Sequence, residues 1–131
     1  MRIVAGKFRG RVITPPDSKG TRPTSDKTRE TLFNILQHAD WAPELLGAKV
    51  MDLFAGSGAL GFEALSRGAA FVLFLDMANA ARQAIRHNSE QLKVTAETES
   101  LKRDVTRLGT IPDAYSPGFD LILCDPPYRK G

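Results

Sequence analysis

The sequence predicts an α/β fold, with helices wound around a parallel sheet. Three observations predict it. An apolar run, Val50 to Phe54, enters a small-residue turn, Ala55 to Gly58, and an apolar stretch with helical spacing, through Leu60 and Phe62 to Leu65, leaves it. That is strand, tight turn and helix. Two more apolar runs of strand length follow, Phe71 to Leu75 and Phe119 to Cys124, with a helical pattern from Asn79 to Leu92 after the first. Gly56, Gly58 and Gly61 also fit G-x-G-x-x-G, the nucleotide-binding turn of Rossmann-like sheets. Glycine there can take φ > 0 and lets a ligand approach the backbone closely. The helix that follows offers N–H groups with no intrahelical acceptor.

Two carboxylates narrow the ligand. Asp52 ends the entering strand, four residues before Gly56. A carboxylate there suits a ligand with a cationic end and repels a pyrophosphate. Asp76 ends the next apolar run, placed to accept hydrogen bonds from ribose hydroxyls. A ligand with an adenosine, a ribose and an ammonium group is S-adenosylmethionine. At this point a dinucleotide is the alternative.

Composition bounds the rest. The 131 residues suit one domain, and 42% hydrophobic content suits a soluble globular chain. No apolar run reaches the roughly 18 residues of a membrane span, and the start has no signal-peptide core. The single cysteine, Cys124, leaves no intrachain disulfide and fits a cytoplasmic location. Its apolar strand predicts a buried, inert thiol. No Cys/His spacing resembles a metal site, and His38 and His87 are expected to face solvent. Residues 1–30 carry eight basic and three acidic groups, net +5, and the remainder nets −2. A basic arm on a mildly acidic body reads as a nucleic-acid contact.

Residues 2–5 and 10–14 are β-prone runs bracketed by Gly6 and Gly10, so a hairpin is expected, with Arg9 and Arg11 on one face and Phe8 as an anchor near the tip. Residues 15–20 are a loop. Thr24 or Ser25 caps a helix to about His38, with Leu32, Ile35, Leu36 and Ala39 on its buried face. Trp41 is expected in the core. The first strand is about Lys49 to Leu53, and Gly68 is placed just past the end of the next helix. Asn79 to Leu92 should turn Ala80, Ala84, Ile85 and Asn88 inward. Thr95 to Leu101 is polar, as an edge strand is. Phe119 to Cys124 reads as central and buried on both faces.

That last run enters Asp125-Pro126-Pro127-Tyr128. A dinucleotide enzyme has no need of this tetrapeptide there, whereas a methyltransferase acting on an exocyclic amine does. Such an amine is a poor nucleophile because its lone pair is delocalised into the ring. A carboxylate and a backbone carbonyl can accept its two N–H bonds and turn the lone pair towards the methyl donor. The prolines fix φ and aim the Pro126 carbonyl outward, and Tyr128 offers a face on which a flipped base stacks. The tetrapeptide falls at the carboxyl end of a strand, where ligands sit in open α/β sheets.

These motifs resemble the RsmD-type methyltransferases, which methylate the N2 amine of a guanine in bacterial small-subunit ribosomal RNA. The opening Met-Arg-Ile-Val-Ala-Gly-Lys-Phe-Arg-Gly-Arg matches, as do Thr21-Arg22-Pro23-Thr24, Glu30 to Leu36, the glycine turn, Ser66-Arg67-Gly68-Ala69 and Asp125 to Tyr128. The resemblance implies that Asp52, Gly56, Ser57 and Gly58 line the methionine end of S-adenosylmethionine. It places Asp76 at the ribose, Asp104 with Val105 beside the adenine, and Asp125, Pro126 and Tyr128 around the target base. Arg2, Lys7, Arg9, Arg11 and Arg22 are the expected RNA contacts. Position 76 is usually glutamate in that family, so the ribose geometry is expected to differ.

The expected organisation is a basic hairpin and loop over 1–24 and a Rossmann-like methyltransferase core over 25–131. Family members continue past the tetrapeptide, so the sheet is expected to be truncated after its fourth strand. The full-length protein is then a monomer, and a chain ending at Gly131 could self-associate through that strand. The small ribosomal subunit or its RNA is the expected partner, with no membrane. The alternatives are a DNA amino-methyltransferase, which lacks the basic opening, and a non-catalytic cofactor- or RNA-binding module.

Overall fold

In the computed structural model, which describes residues 1–16, 25–103 and 118–124, the apolar runs form a parallel sheet. Its strands are β1 (Lys49–Leu53), β2 (Phe71–Leu75), β3 (Thr98–Leu101) and β4 (Leu121–Cys124), in the order β3-β2-β1-β4. The helices are α1 (Asp26–His38), α2 (Ala59–Ser66) and α3 (Asn79–Leu92). This is the α/β architecture expected; β1 is central, with β2 and β3 to one side and β4 to the other. Val50 pairs with Val72 and with Leu121. Asp120 sets the start of the β1–β4 register, its amide donating to the Lys49 carbonyl at 2.8 Å and its carboxylate accepting the Lys49 amide at 2.9 Å.

Burial along the strands follows the period of two. Val50, Val72, Phe74 and Leu123 pack on the helical face with Phe62 and Leu65 of α2 and Ile85 and Leu92 of α3. Met51, Leu73 and Leu75 make a smaller cluster on the opposite face. Gly61 lets α2 approach the sheet, because a Cβ there would lie 2.4 Å from Phe74 Cε1.

Several local expectations are corrected. β4 is the edge of the described sheet, so Ile122 is 57% exposed and Cys124 is exposed instead of buried. Both sit on the face away from the helices, whereas Leu123 faces them. Ser25 is the N-cap of α1, as expected, its hydroxyl accepting the Thr28 amide. The buried face of that helix runs through Arg29 and Phe33, with Leu32 and Leu36 beside them. Ile35 is about 100° round from this face and is exposed. Trp41 is 74% exposed, because Leu45 is the side chain with which this connection fills the core. On α3 it is Ala81 that is buried, in line with Ala84, Ile85 and Asn88; Ala80 is half-buried. The run from 95 is a 3-10 turn, Thr95–Glu97, before β3 begins.

The N-terminal arm is antiparallel, as expected, through the Arg2–Val12 bridge. It is also part of the core: Ile3 and Ile13 are buried among the residues of α1, α2 and the sheet. Its link lies on α2, where the Lys7 amide donates to the Ser66 carbonyl at 2.9 Å and the Phe8 amide to Ser66 Oγ at 3.0 Å. A Cβ at Gly6, where φ is +88, would lie 2.0 Å from the Ser66 carbonyl oxygen, so this approach requires glycine.

Beneath the arm is a buried polar hub. Glu63, fully buried, accepts the Val4 and Ala5 amides at 3.0 and 3.1 Å and Arg67 Nε at 2.9 Å, and lies 3.5 Å from Arg29 Nε. Arg29 also donates to the Arg2 carbonyl and to Asp26. Burial disfavours the charge on Asp26, but the hydrogen bond and charge of Arg29 outweigh it and hold the carboxyl below its usual range. A folded-state pKa below the unfolded one stabilises at higher pH, and that stabilisation is lost as pH falls below about 4. Asp26→Asn should therefore lower stability at neutral pH and lose less of it on acidification. Urea unfolding at neutral and acid pH checks this, and parallel losses in the two proteins would exclude the Asp26–Arg29 pair as the cause.

Candidate functional site

The site is assembled where β1 and β2 end. β1 stops at Leu53, and Phe54 turns the chain with φ +56. The Ala55 amide donates to the Leu75 carbonyl at 3.1 Å, which ties the turn to the end of β2. Gly56 and Gly58 have φ of +56 and +85. Gly58 is the N-cap of α2. Among the described residues a Cβ at Gly56 would meet nothing within 4 Å, whereas one at Gly58 would lie 2.6 Å from Phe62 Cε2. The turn is therefore braced from below by the Phe62 and Phe74 rings and open above Gly56. That open backbone, over the first turn of a helix, fits a bound nucleoside.

Both sequence-predicted carboxylates converge on this turn. Asp52 is 1% exposed, and its Oδ2 accepts the Gly61 amide at 3.1 Å. It thus serves one of the donors at the start of α2. Asp76 Oδ2 accepts the Gly56 amide at 3.0 Å and its Oδ1 the Ala78 amide at 2.9 Å. A carboxylate oxygen has more than one acceptor position, so Asp76 can brace the turn and still accept a hydroxyl. Ser57 is buried, and its carbonyl accepts Asn88 Nδ2 at 3.0 Å. Arg82 donates to the Asp76 and Met77 carbonyls at 3.1 and 3.0 Å, which fixes the loop after β2.

Asp104, Val105, Asp125, Pro126, Tyr128 and Arg22 lie outside the described residues. β4 carries the chain to Cys124, at the same end of the sheet as Leu53 and Leu75. Of the arm's basic groups, Arg2 donates to the Gly10 carbonyl at 2.8 Å and Arg11 to the Gln91 carbonyl at 2.7 Å. Arg29 is buried, which removes it from the basic surface. Lys7, stacked 5.1 Å from the Phe8 ring centroid, and Arg9 are exposed at the hairpin link. Sequence reasoning missed the hub. Its signal was Glu63, the one charged residue of α2 in an otherwise apolar and small-residue stretch.

A family described as conserved hypothetical protein 95 matches residues 1–131. The ribosomal RNA small subunit methyltransferase D of Escherichia coli K12 is 40% identical over 131 residues, which cover all of this chain and 62% of that protein. The putative rRNA methyltransferase YlbH of Bacillus subtilis is 36% identical over 130 residues, which cover 99% of this chain and 68% of that one. This chain belongs to the RsmD-type family. A putative methyltransferase from Escherichia coli superposes with a TM-score of 0.76 at 36% identity, over 100% of this chain and 66% of that one. A putative methylase from Haemophilus influenzae gives 0.70 at 35% identity, over 98% and 65%. The fold is thus the methyltransferase α/β fold of the RsmD-type family. The chain spans 62% of the length of its Escherichia coli relative.

Proposed function

We propose that this chain belongs to a cytoplasmic, S-adenosylmethionine-dependent methyltransferase acting on the exocyclic N2 amine of a guanine in small-subunit ribosomal RNA. The observation that carries the reading is the convergence of Asp52 and Asp76 on one glycine turn, through the Gly61 and Gly56 amides. Asp52, Gly56, Ser57, Gly58 and Asp76 would hold the cofactor, with Asp104 and Val105 beside its adenine. The cofactor supplies an electrophilic methyl group. Asp125 and the Pro126 carbonyl would accept the amine's two N–H bonds and Tyr128 would stack on the base, so that the lone pair is turned to the methyl donor and the two are aligned. No strong base is needed, since the methylated amine is cationic and loses its proton readily. Labelled methyl transfer by the purified protein to small ribosomal subunits, naked ribosomal RNA and DNA tests the reading. Label in DNA alone would replace it with the DNA amino-methyltransferase, and no transfer would leave a binding module.

In this reading residues 1–24 grip RNA and 25–131 carry the chemistry. Support comes from Lys7 and Arg9, which are exposed at the hairpin link, whereas the Arg2 and Arg11 guanidiniums donate to the Gly10 and Gln91 carbonyls. Replacing Lys7 and Arg9 with alanine should weaken RNA binding and make the slope of log affinity against log salt shallower by about 1–2. Replacing Arg11 alone should change the slope less. Filter binding across a salt series decides, and an unchanged slope in the Lys7/Arg9 variant would make the link only a solvated surface.

A further inference from the structure

Asn88 joins two parts of the molecule that the proposed reaction assigns to different ligands. It lies on α3, is 1% exposed, and makes three hydrogen bonds. Its Oδ1 accepts the Thr14 amide at 2.9 Å. Its Nδ2 donates to the Thr14 carbonyl at 2.9 Å and to the Ser57 carbonyl at 3.0 Å. The amide orientation follows from these partners: two carbonyls must face the NH2 group, and one N–H must face the oxygen. No other side chain of this size offers two donors and an acceptor in that arrangement without charge. Thr14 ends the N-terminal arm, and Ser57 is the middle of the glycine turn. The arm is held on the same helix a turn further on, where Arg11 donates to the Gln91 carbonyl at 2.7 Å. Arg82, at the other end of α3, holds the Asp76 and Met77 carbonyls. One helix therefore touches the arm, the glycine turn and the loop after β2.

We infer that Asn88 is a positioning residue through which the docked N-terminal arm fixes the glycine turn, so that grip on RNA by the arm and grip on the cofactor by the turn are linked. The inference rests on the proposed assignment of the turn to the cofactor. The physical basis is that Ser57 is buried and its carbonyl is satisfied by Asn88 of α3. Pulling the arm away removes two of the three partners that orient the Asn88 amide. The amide then has fewer constraints, and the turn loses a fixed donor. Linkage is reciprocal: what tightens the arm tightens the turn.

Two variants cut the link at opposite ends. Thr14→Pro removes the Thr14 N–H, at an exposed residue already followed by Pro15, and leaves the core side chains untouched. Asn88→Asp keeps an acceptor for Thr14 but sets an oxygen against the Thr14 and Ser57 carbonyls. Hydrogen exchange in the ligand-free protein and calorimetry with S-adenosylhomocysteine are the readouts. Both variants should speed exchange over residues 54–61 about fivefold and weaken S-adenosylhomocysteine about fivefold, with β2 unchanged. Thr14→Pro with wild-type exchange and affinity would overturn the link, and so would exchange that rises alike in β2 and the turn. If the wild-type protein binds no S-adenosylhomocysteine while the turn still responds to Thr14→Pro, the cofactor assignment fails and the link stands.

Discussion

Glu63→Ala is expected to lower folding stability by about 3–5 kcal/mol, which is the usual cost of removing one partner from a buried charge network. In a protein of this size the melting temperature should fall by about 10 °C or more. The cost has two sources. Arg67 loses its carboxylate partner and Arg29 keeps the half-exposed Asp26, while the Arg29 and Glu63 side chains are 1% and 0% exposed. The part-buried Val4 and Ala5 amides lose their acceptor, at up to about 1–3 kcal/mol for each donor left unsatisfied. The second source separates this hub from a bare ion pair. Replacing a bare pair with apolar residues of similar volume is often neutral or stabilising. Here Arg29→Met combined with Glu63→Leu should remain destabilised, because the two amides still have no acceptor. Glu63→Gln should fall between wild type and alanine, since one end of its amide must face a donor. Thermal and urea unfolding of the three variants check the ranking. A Glu63→Ala protein within about 1 kcal/mol of wild type would show that water enters and replaces the carboxylate. The arm should also become sensitive to proteases in Glu63→Ala before the sheet does, since Glu63 holds the Val4 and Ala5 amides on α2 and its removal leaves the Ser66 contacts to hold this stretch.

The strands of the sheet were legible because burial of parallel strands leaves a direct mark, but burial did not give their order, since β4 reads as central and lies at the edge of the described sheet. The bounds of β1 and β2, Lys49–Leu53 and Phe71–Leu75, and of α3 follow from apolar period and turn residues alone. Asp52, Asp76 and the glycines were legible for the same reason: a carboxylate at a strand end and a turn that needs φ > 0 are local patterns. What the carboxylates do first was not legible. Asp76 meets Gly56 across 20 positions of sequence, and Asp52 meets Gly61 across a turn whose path depends on Phe54 in a left-handed conformation. The hub and the Asn88 bridge join residues roughly 60 and 74 positions apart, and no periodicity encodes such partners. Charge counting misread Arg29 because composition does not distinguish a solvated guanidinium from one held by a buried glutamate. Trp41 and Ile35 misled in the opposite sense. An apolar side chain is inside only if the fold has a place for it, and here Phe33 and Leu45 take those places.

Gly58→Val is expected to abolish measurable S-adenosylhomocysteine binding and to destabilise the fold as well. The backbone at Gly58 has φ +85, where a β-branched residue is strained by about 1–3 kcal/mol. Its Cβ would lie 2.6 and 2.9 Å from two atoms of the Phe62 ring and 3.1 Å from Phe74 Cε1. Those rings are fully buried and packed on each other at 4.9 Å between centroids, so they cannot retreat without disturbing the contact between α2 and β2. Overpacking of this kind costs about 1–3 kcal/mol more. The cheaper response is for the turn to lift, which carries Gly56 and Ser57 away from Asp76 and Asn88. A turn lifted in this way no longer presents its backbone and Asp76 to one ligand together. Gly56→Ala separates the two effects. Its Cβ meets no atom of the described residues within 4 Å, so the fold should lose only the backbone term of about 1 kcal/mol. The methyl group nevertheless enters the open space above the turn, where the cofactor is proposed to lie. Gly56→Ala should therefore keep most of the wild-type stability and lose affinity. Calorimetry and thermal unfolding of wild type, Gly56→Ala and Gly58→Val decide the matter. Equal heats for Gly58→Val and wild type would remove the cofactor from this turn, and full affinity in Gly56→Ala would place it to one side of Gly56.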